Sequence, residues 1–221
     1  MEENPGLIIR KAEHSDIPFL VDTIVAAEKS GSDMFSYSTI FEMPETEIRK
    51  LLPLILAEDV PGQELCYSSY LIAEVDKKIA GAVGAWVEGE FGQTTSARKA
   101  MLLNFFFPKE NMMKARQKRK YLDQMHFDCD EGALVQDIGL VLPAYRGQGI
   151  YQKLMREQIR IHRELKPDLK VSQLHFLKSN IMAFNIYSRL GYVLMKEKKC
   201  VDPIVLKWLP SDTQLFMEKT L

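Results

Sequence analysis

Cysteine is scarce in this chain: three among 221 residues, at Cys66, Cys129 and Cys200, far apart and without metal-ligand spacing to any of the four histidines. That argues against a disulfide-framed secreted domain and a zinc-finger-type site, and leaves reduced thiols in a reducing compartment as the expectation. Net charge is nearly missing too, since 29 Lys and Arg meet 30 Asp and Glu for a sum of −1. No global field draws such a chain to nucleic acid or to an anionic membrane. No apolar run approaches the roughly 18 residues of a membrane span. MEENPGLIIR begins acidic and holds no basic segment ahead of a long apolar stretch, so no secretory signal is read there and the cytoplasm is the expected location. The patterns G-x-S-x-G and G-x-x-x-x-G-K-[ST] do not occur, which removes the serine-nucleophile elbow and the P-loop.

What is present is a globular composition, 46% hydrophobic and 27% charged, sufficient for one sizeable core. The order of elements predicts a single α/β domain over residues 1–221. LIIRKA is β-rich, and a capping pattern around Ser15 and Asp16 opens a helix through IPFLVDTIVAAEKS. SGSDMFSYST is expected as loop. PETEIRKLLPLILAED reads as a second helix, with Pro44 suited to its first turn and Pro53 inside it. YLIAEV and IAGAVGAWVEG flank Asp76-Lys77-Lys78 as an antiparallel hairpin. Residues 89–132 are expected as a mostly helical insertion broken at Pro108. Its stretch KARQKRK (114–120) raises a nucleic-acid reading, but the run is short and Glu110 and Asp123 flank it, so a solvated helix face accounts for it better.

From residue 133 the pattern sharpens. ALVQDIGLVL is a near-continuous apolar run of strand length, as expected of a strand covered on both faces. IYQKLMREQIRIHRELK is a helix with Ile150, Leu154, Ile161 and Leu165 on its apolar stripe. VSQLHFL is a second strand; SNIMAFNIYSRLG is a helix capped by Ser179 or Asn180 and ended by Gly191; YVLMKEK and PIVLKWL are expected as closing strands. Strand, helix and strand form a parallel βαβ unit. Between its first strand and helix lies PAYRGQG. A helix start leaves backbone N–H groups unpaired and carries a partial positive charge, and glycines there leave the backbone bare, so the bend fits a phosphate. Two glycines around Gln148 match a Rossmann fingerprint only in part, because Gln152 stands where its third glycine belongs.

Asn180 and Tyr187 are seven residues apart, which places them near one face of a helix about 10 Å apart, with the small Ala183 between. Together, VLPAYRGQGIYQKLM and SNIMAFNIYSRLGY resemble the GNAT superfamily of acetyl-CoA-dependent N-acetyltransferases. That family carries an R/Q-x-x-G-x-G/A loop and an N-x-x-A-x-x-x-Y-x-x-x-G-[FY] helix. Arg146, Gly149, Asn180, Ala183, Tyr187, Gly191 and Tyr192 match, whereas Tyr151 stands where the loop's final Gly or Ala belongs.

The resemblance implies a mixed, mostly antiparallel central sheet with a splayed parallel strand pair and flanking helices. It implies an acyltransferase moving an acetyl group from acetyl-CoA to an amine, directly in a ternary complex and without a metal. Backbone of Gly139, Leu140 and Val141 would hold the pantetheine and acetyl carbonyl. Arg146, Gly147, Gln148, Gly149, Ile150 and Tyr151 would hold the pyrophosphate, with Asn180 and Ala183 along the coenzyme. Tyr187 is the implied general acid or donor to the thiolate. The base is either His175 or Asp137, the latter acting through water or by orienting His175. The acceptor is a small-molecule or peptide amine, with no nucleic-acid or membrane partner, and the chain is a monomer or homodimer. Asp33, Glu42 and Glu88 point to a cationic acceptor, and Phe35, Tyr37, Phe91 and Phe105–Phe107 to an apolar one. A non-catalytic acyl-CoA-binding regulatory module of the same fold is the alternative.

Overall fold

The structure, a computed structural model, describes residues 6–221; residues 1–5, within the stretch read above for a secretory signal, lie outside them. Its strands are β1 (Leu7–Lys11), β2 (Tyr70–Val75), β3 (Lys78–Val87), β4 (Leu134–Val141), β5 (Val171–Leu177), β6 (Val193–Lys199) and β7 (Thr213–Thr220). Its helices are α1 (Ile17–Glu28), α2 (Ser36–Phe41), α3 (Glu45–Ala57), α4 (Thr95–Phe106), α5 (Lys109–Leu122), α6 (Ile150–Leu165) and α7 (Ile181–Arg189). The strands form one sheet in the order β1-β2-β3-β4-β5-β7-β6, antiparallel throughout except for β4 and β5. Among the described residues no helix is long and apolar enough to cross a membrane.

Helices cover both faces. On one, α1, α3 and α4 bury Leu20, Ile24, Ile48, Leu52, Ile55 and Leu103 against Ile72, Ala82 and Ile138. On the other, α6 and α7 bury Ile150, Leu154, Tyr187 and Leu190 against Leu71, Val83, Leu174 and Met217. The β2–β3 hairpin turns at Asp76 and Lys77, both left-handed at φ 51° and 63°, as a tight two-residue connection with right-handed strand twist demands.

Two irregularities on β4 prepare the site. Val83 and Ala85 of β3 pair with Gly139 and Gln136, so β4 carries an extra residue at Asp137–Ile138, a β-bulge. Parallel pairing with β5 covers only Leu134–Ser172 and Val135–Gln173, beyond which the two strands part. Buried polar groups secure the fork. Tyr192 Oη donates to Gln136 Oε1 (2.6 Å), Ser172 Oγ lies 2.7 Å from Tyr192 Oη, and Gln136 Nε2 donates to the Met155 carbonyl on α6 (2.9 Å). Gln158 of α6 donates to the Val83 carbonyl beside the bulge (2.9 Å). These bonds tie both strands and α6 together where the ladder ends, so the opening is a fixed feature.

Three expectations change. PIVLKWL is no strand: Pro203–Lys207 form a 3-10 turn, opened by Asp202 Oδ1 accepting from the Ile204 N–H (3.0 Å). The closing strand is β7 instead, with Leu215 and Met217 in the α6–α7 core and Phe216 on Phe127 across the sheet. SGSDMFSYST ends in the short helix α2, whose last carbonyls, of Thr39 and Ile40, accept from the buried Lys118 ammonium (3.1 and 2.7 Å). Lys118 and Lys114 also pair with Glu42, so two cations of the basic stretch act within the fold. Leu165 is 72% exposed, and the buried stripe of α6 runs through Ile150, Leu154, Met155 and Gln158.

Candidate active site

The bend after β4 is built by dihedral angles that glycine favours. A 3-10 turn at Pro143–Tyr145 leads to an extended Arg146, and Gly147 and Gly149 follow at φ 79° and 72°. A side chain at either glycine would strain the backbone. Gly149 caps α6, and the Lys153 N–H donates to its carbonyl (3.1 Å), so Ile150, Tyr151 and Gln152 form the helix's first turn. Arg146, Gly147 and Gln148 are exposed, and Arg146 Nε is anchored on the Val141 carbonyl (3.2 Å). The bend therefore combines a helix N-terminus, bare backbone and a guanidinium beside the open end of the β4–β5 fork. Leu140 and Val141 are half-buried on β4, paired on one side with Ala82 and Gly81 of β3.

Tyr151 turns inward. A Cβ on Gly139 would lie 2.7 Å from Tyr151 Cε2 and 3.0 Å from its hydroxyl, so the missing side chain on β4 makes the niche that the ring occupies. From there Tyr151 Oη reaches Tyr187 Oη at 3.1 Å. Tyr187 itself is buried among Phe176, Tyr192 and Tyr151. Burial holds its phenol well above 10, with the neighbouring Tyr151 adding to the effect. Tyr151 is pushed to about 12, again chiefly by burial. Both are protonated donors at neutral pH.

Asn180 is the N-cap of α7, its Oδ1 accepting from the Ala183 N–H (3.1 Å), so it stands just ahead of the helix face that carries Ala183 and Tyr187. Gly31 in the α1–α2 connection approaches the Asn180 amide.

On the opposite face, a cavity of about 150 Å³ reaches Asp137 at the bulge and His175 on β5. Its walls include Trp86 and Phe127, and its acids are Glu64, Glu88, Asp128 and Asp137. Lys99 of α4 contacts Glu64 and lies 3.8 Å from Glu28, which also accepts from Ser36. Glu88 is buried and holds the start of α4 by accepting from the Thr95 N–H (2.9 Å) and hydroxyl (2.5 Å). Burial, with the Glu64 charge added, pushes the Asp137 carboxyl up to about 7, Lys99 opposing. Burial drives His175 down to about 4. With the Gln214 amide donating to His175 Nδ1 (3.0 Å), the imidazole is neutral and protonated on Nε2, which makes that nitrogen a donor rather than a base.

Cys129 lines the same cavity as His126 and His175, a neighbourhood that sequence spacing did not disclose. Burial first, then the charges of Asp137 and Glu88, push its thiol far up, so it is no activated nucleophile. Glu64, Lys99, His126 and Glu28 also went unread, since each comes from a different loop or helix and none belongs to a motif. Of the acceptor hints, Glu88 lines the cavity and Glu42 pairs with lysines; Phe35, Tyr37 and Phe107 are core, and Phe91 and Phe105 are exposed.

No family model matches the chain, and no curated protein does. Solved structures do. An N-acetyltransferase from Staphylococcus aureus Mu50 is similar over 96% of this chain and 100% of its own, with a TM-score of 0.66 and 15% identity. A polyamine N acetyltransferase from Drosophila melanogaster is similar over 97% of this chain and 100% of its own (TM-score 0.59, 15% identity). The protein yncA from Salmonella typhimurium, solved with its cofactor acetyl-CoA, is similar over 98% and 94% (TM-score 0.52, 14% identity). At these identities the likeness is one of fold. The chain has the GNAT fold, with the mostly antiparallel sheet and single parted parallel pair that its motifs implied.

Proposed function

We propose that the protein transfers an acetyl group from acetyl-CoA to a small cationic amine, directly within a ternary complex. The observation that carries this reading is the placement of Asp137 and Tyr187 on opposite faces of the sheet at the β4–β5 fork, beside the glycine bend. Burial foremost, then Tyr151 and the Asp137 charge, raise the Tyr187 phenol. The bend and Arg146 suit a pyrophosphate, and the parted strands leave backbone of Gly139–Val141 for the pantetheine amides and the acetyl carbonyl. The fold shared with a protein solved with acetyl-CoA supports that donor.

In the reaction, Asp137 takes a proton from the bound ammonium, directly or through one water, and the freed amine attacks the acetyl carbon. An alkylammonium near pKa 10 keeps its proton in neutral water, so an acceptor next to it is required. A carboxylate near 7 suits that task better than an imidazole near 4 that already donates. Backbone donors on β4 stabilise the developing oxyanion. When the C–S bond breaks, Tyr187 donates to the leaving sulfur. The acceptor's charge follows from the cavity: before Asp137 and Glu28 are counted, Glu64, Glu88 and Asp128 outnumber Lys99 by two. Lys198 stands over Phe127 at 4.7 Å and partly offsets this from outside the cavity lining. The fold shared with a polyamine N acetyltransferase points the same way.

The test is thiol release from acetyl-CoA across an amine panel, comparing wild type with Tyr187→Phe. The variant should bind acetyl-CoA with unchanged Kd and lose kcat by about 10²-fold. Acetyl-CoA binding without thiol release on any amine would make this a non-catalytic acyl-CoA-binding module instead.

A further inference from the structure

We propose that Tyr151 is a positioning residue for the acyl transfer, its phenol bonding Tyr187 Oη and stabilising that oxygen as it gives its proton to the departing thiolate. The inference rests on the acetyl-transfer reading. It goes beyond that reading by assigning a task to a residue at which the GNAT loop pattern expects only Gly or Ala.

Geometry makes the case. The ring is not an accident of a loose loop: it starts in the first turn of α6 and fills a niche that exists because β4 has glycine at 139. Val83 closes the niche, as its Cγ2 would also stand 3.0 Å from a Cβ there. So seated, the ring holds its hydroxyl 3.1 Å from Tyr187 Oη, with the ring planes at 53° and centroids 6.3 Å apart. Phe176 and Tyr192 pack on other sides of Tyr187 and bring carbon against it at 5.3 and 6.0 Å between centroids, Tyr192 sending its hydroxyl to Gln136 and Ser172. Tyr151 is thus the residue that supplies a hydroxyl to the Tyr187 oxygen.

The chemistry needs such a partner. A thiol ordinarily titrates at about 8.5, whereas the buried Tyr187 phenol is held well above 10. Moving the proton from Tyr187 to sulfur is therefore uphill unless the nascent phenolate is stabilised. The amine nitrogen bonds the acetyl carbon and the C–S bond breaks; of the two protons the ammonium sheds, Asp137 takes the first before attack, the Tyr187 proton goes to sulfur, and the second nitrogen proton returns, directly or through water, to the Tyr187 oxygen. Tyr151 keeps its own proton and donates a hydrogen bond that strengthens as charge builds on Tyr187, since bonds to ionised oxygens are about twice as strong as neutral ones. Asp137 raises both phenols, and the groups that act most on Tyr187 besides burial are Tyr151, Asp137 and Tyr192, none of them a cation that could do this work in Tyr151's place.

Tyr151→Phe keeps the ring in the niche and removes only the hydroxyl. Its kcat should fall about tenfold, with KM for the amine and Kd for acetyl-CoA within twofold. In a Tyr187→Phe background the same change should cost less than twofold, because the oxygen that Tyr151 serves is gone. Equal losses in both backgrounds, an unchanged kcat, or a loss confined to KM would overturn the assignment. A second readout needs no turnover: in the ultraviolet tyrosinate titration the bond between the phenols eases the pair's first ionisation and resists its second, so Tyr151→Phe should lose the lower step and leave Tyr187 ionising alone between the two wild-type steps. A difference spectrum that shows one isolated phenol and nothing more would sink the pairing. If instead the tyrosinate coupling is found but wild type binds no acetyl-CoA, it is the acetyl-transfer reading that fails.

Discussion

The two faces of the sheet bring different materials to the fork between β4 and β5. From the α6–α7 side come bare backbone, two glycines with left-handed dihedral angles, and the neutral phenols Tyr151 and Tyr187. From the side of α1–α5 come Glu28, Glu64, Glu88, Lys99 and Asp137, partly or wholly buried. Each side complements the charge expected to reach it. A coenzyme pyrophosphate carries its own negative charge and needs N–H donors, with no carboxylate nearby. An alkylammonium carries positive charge and is drawn by acids, one of which must also take its proton. Fixed dipoles cost little to bury because they belong to secondary structure, whereas buried carboxylates oppose folding. The acceptor side therefore holds the charges whose removal has the larger effects.

The largest expected effect is at Asp137. Asp137→Asn should lower kcat/KM about 10³-fold while leaving acetyl-CoA affinity within twofold. In wild type, kcat/KM should rise with pH through about 7 as the carboxyl loses its proton, and Asn should abolish that limb. A limb near 4 instead would assign the base to His175. Stability supplies an independent check. The folded carboxyl titrates near 7 and an unfolded one near 3.9, so between those values the folded state binds the extra proton and stability falls as pH rises. Asp137→Asn should thus raise Tm at pH 8 and leave it nearly unchanged at about pH 3, where the carboxyl is mostly neutral in the folded and the unfolded chain alike. A lower Tm at pH 8 would show that the charged carboxylate is compensated in a way the cavity does not reveal.

The same contrast explains what could be read in the chain beforehand. Arg146, Gly147 and Gly149 follow one another at a strand–helix junction, and Asn180, Ala183 and Tyr187 repeat along a helix, so local geometry writes them into spacing. Tyr192 was read only as a motif position, although its hydroxyl fastens the fork. Gly139 was read as backbone for the coenzyme; that Tyr151 packs against it was not legible, since the two meet through tertiary packing across a bend. Lys99, Glu64, Glu28 and His126 lie on separate elements, and their pairing is a product of the fold. Strand β7 was missed because TQLFMEKT mixes charge with its alternation, while the apolar PIVLKWL looked more like a strand and has Pro203 and the Asp202 cap turning it into 3-10 helix.

A smaller effect probes the charge asymmetry itself. Butane-1,4-diamine, butylamine and 4-aminobutyrate present the same reacting amine on the same chain with a distal charge of plus, zero or minus. If the acidic cavity selects the acceptor, kcat/KM should fall about tenfold at each step, as expected for charges several ångströms apart in a partly screened site. The steps should shrink at high salt if the distal charge sits near solvent. Preference for 4-aminobutyrate would mean that Lys99 and the histidines form a carboxylate receptor, and the complementarity of the two faces would be lost.

The smallest expected effect decides the order of events. Cys129 lines the acceptor cavity together with two histidines, an arrangement that could support an acyl-enzyme. A cysteine nucleophile works as thiolate, and its microenvironment is then positive or hydrogen-bonded to a base. Here burial and the charges of Asp137, Glu88, Asp130 and Asp128 all act against ionisation, so the thiol stays protonated throughout the neutral range. Direct transfer then requires nothing of Cys129, and Cys129→Ser should keep kcat within twofold, with no acetylated protein trapped when acetyl-CoA is supplied without amine. Intersecting double-reciprocal lines belong with that outcome. Parallel lines, a trapped thioester and a collapse of activity in the serine variant would move the first chemical step from the cofactor side to the acceptor side, with the same acids that attract the amine then opposing the nucleophile.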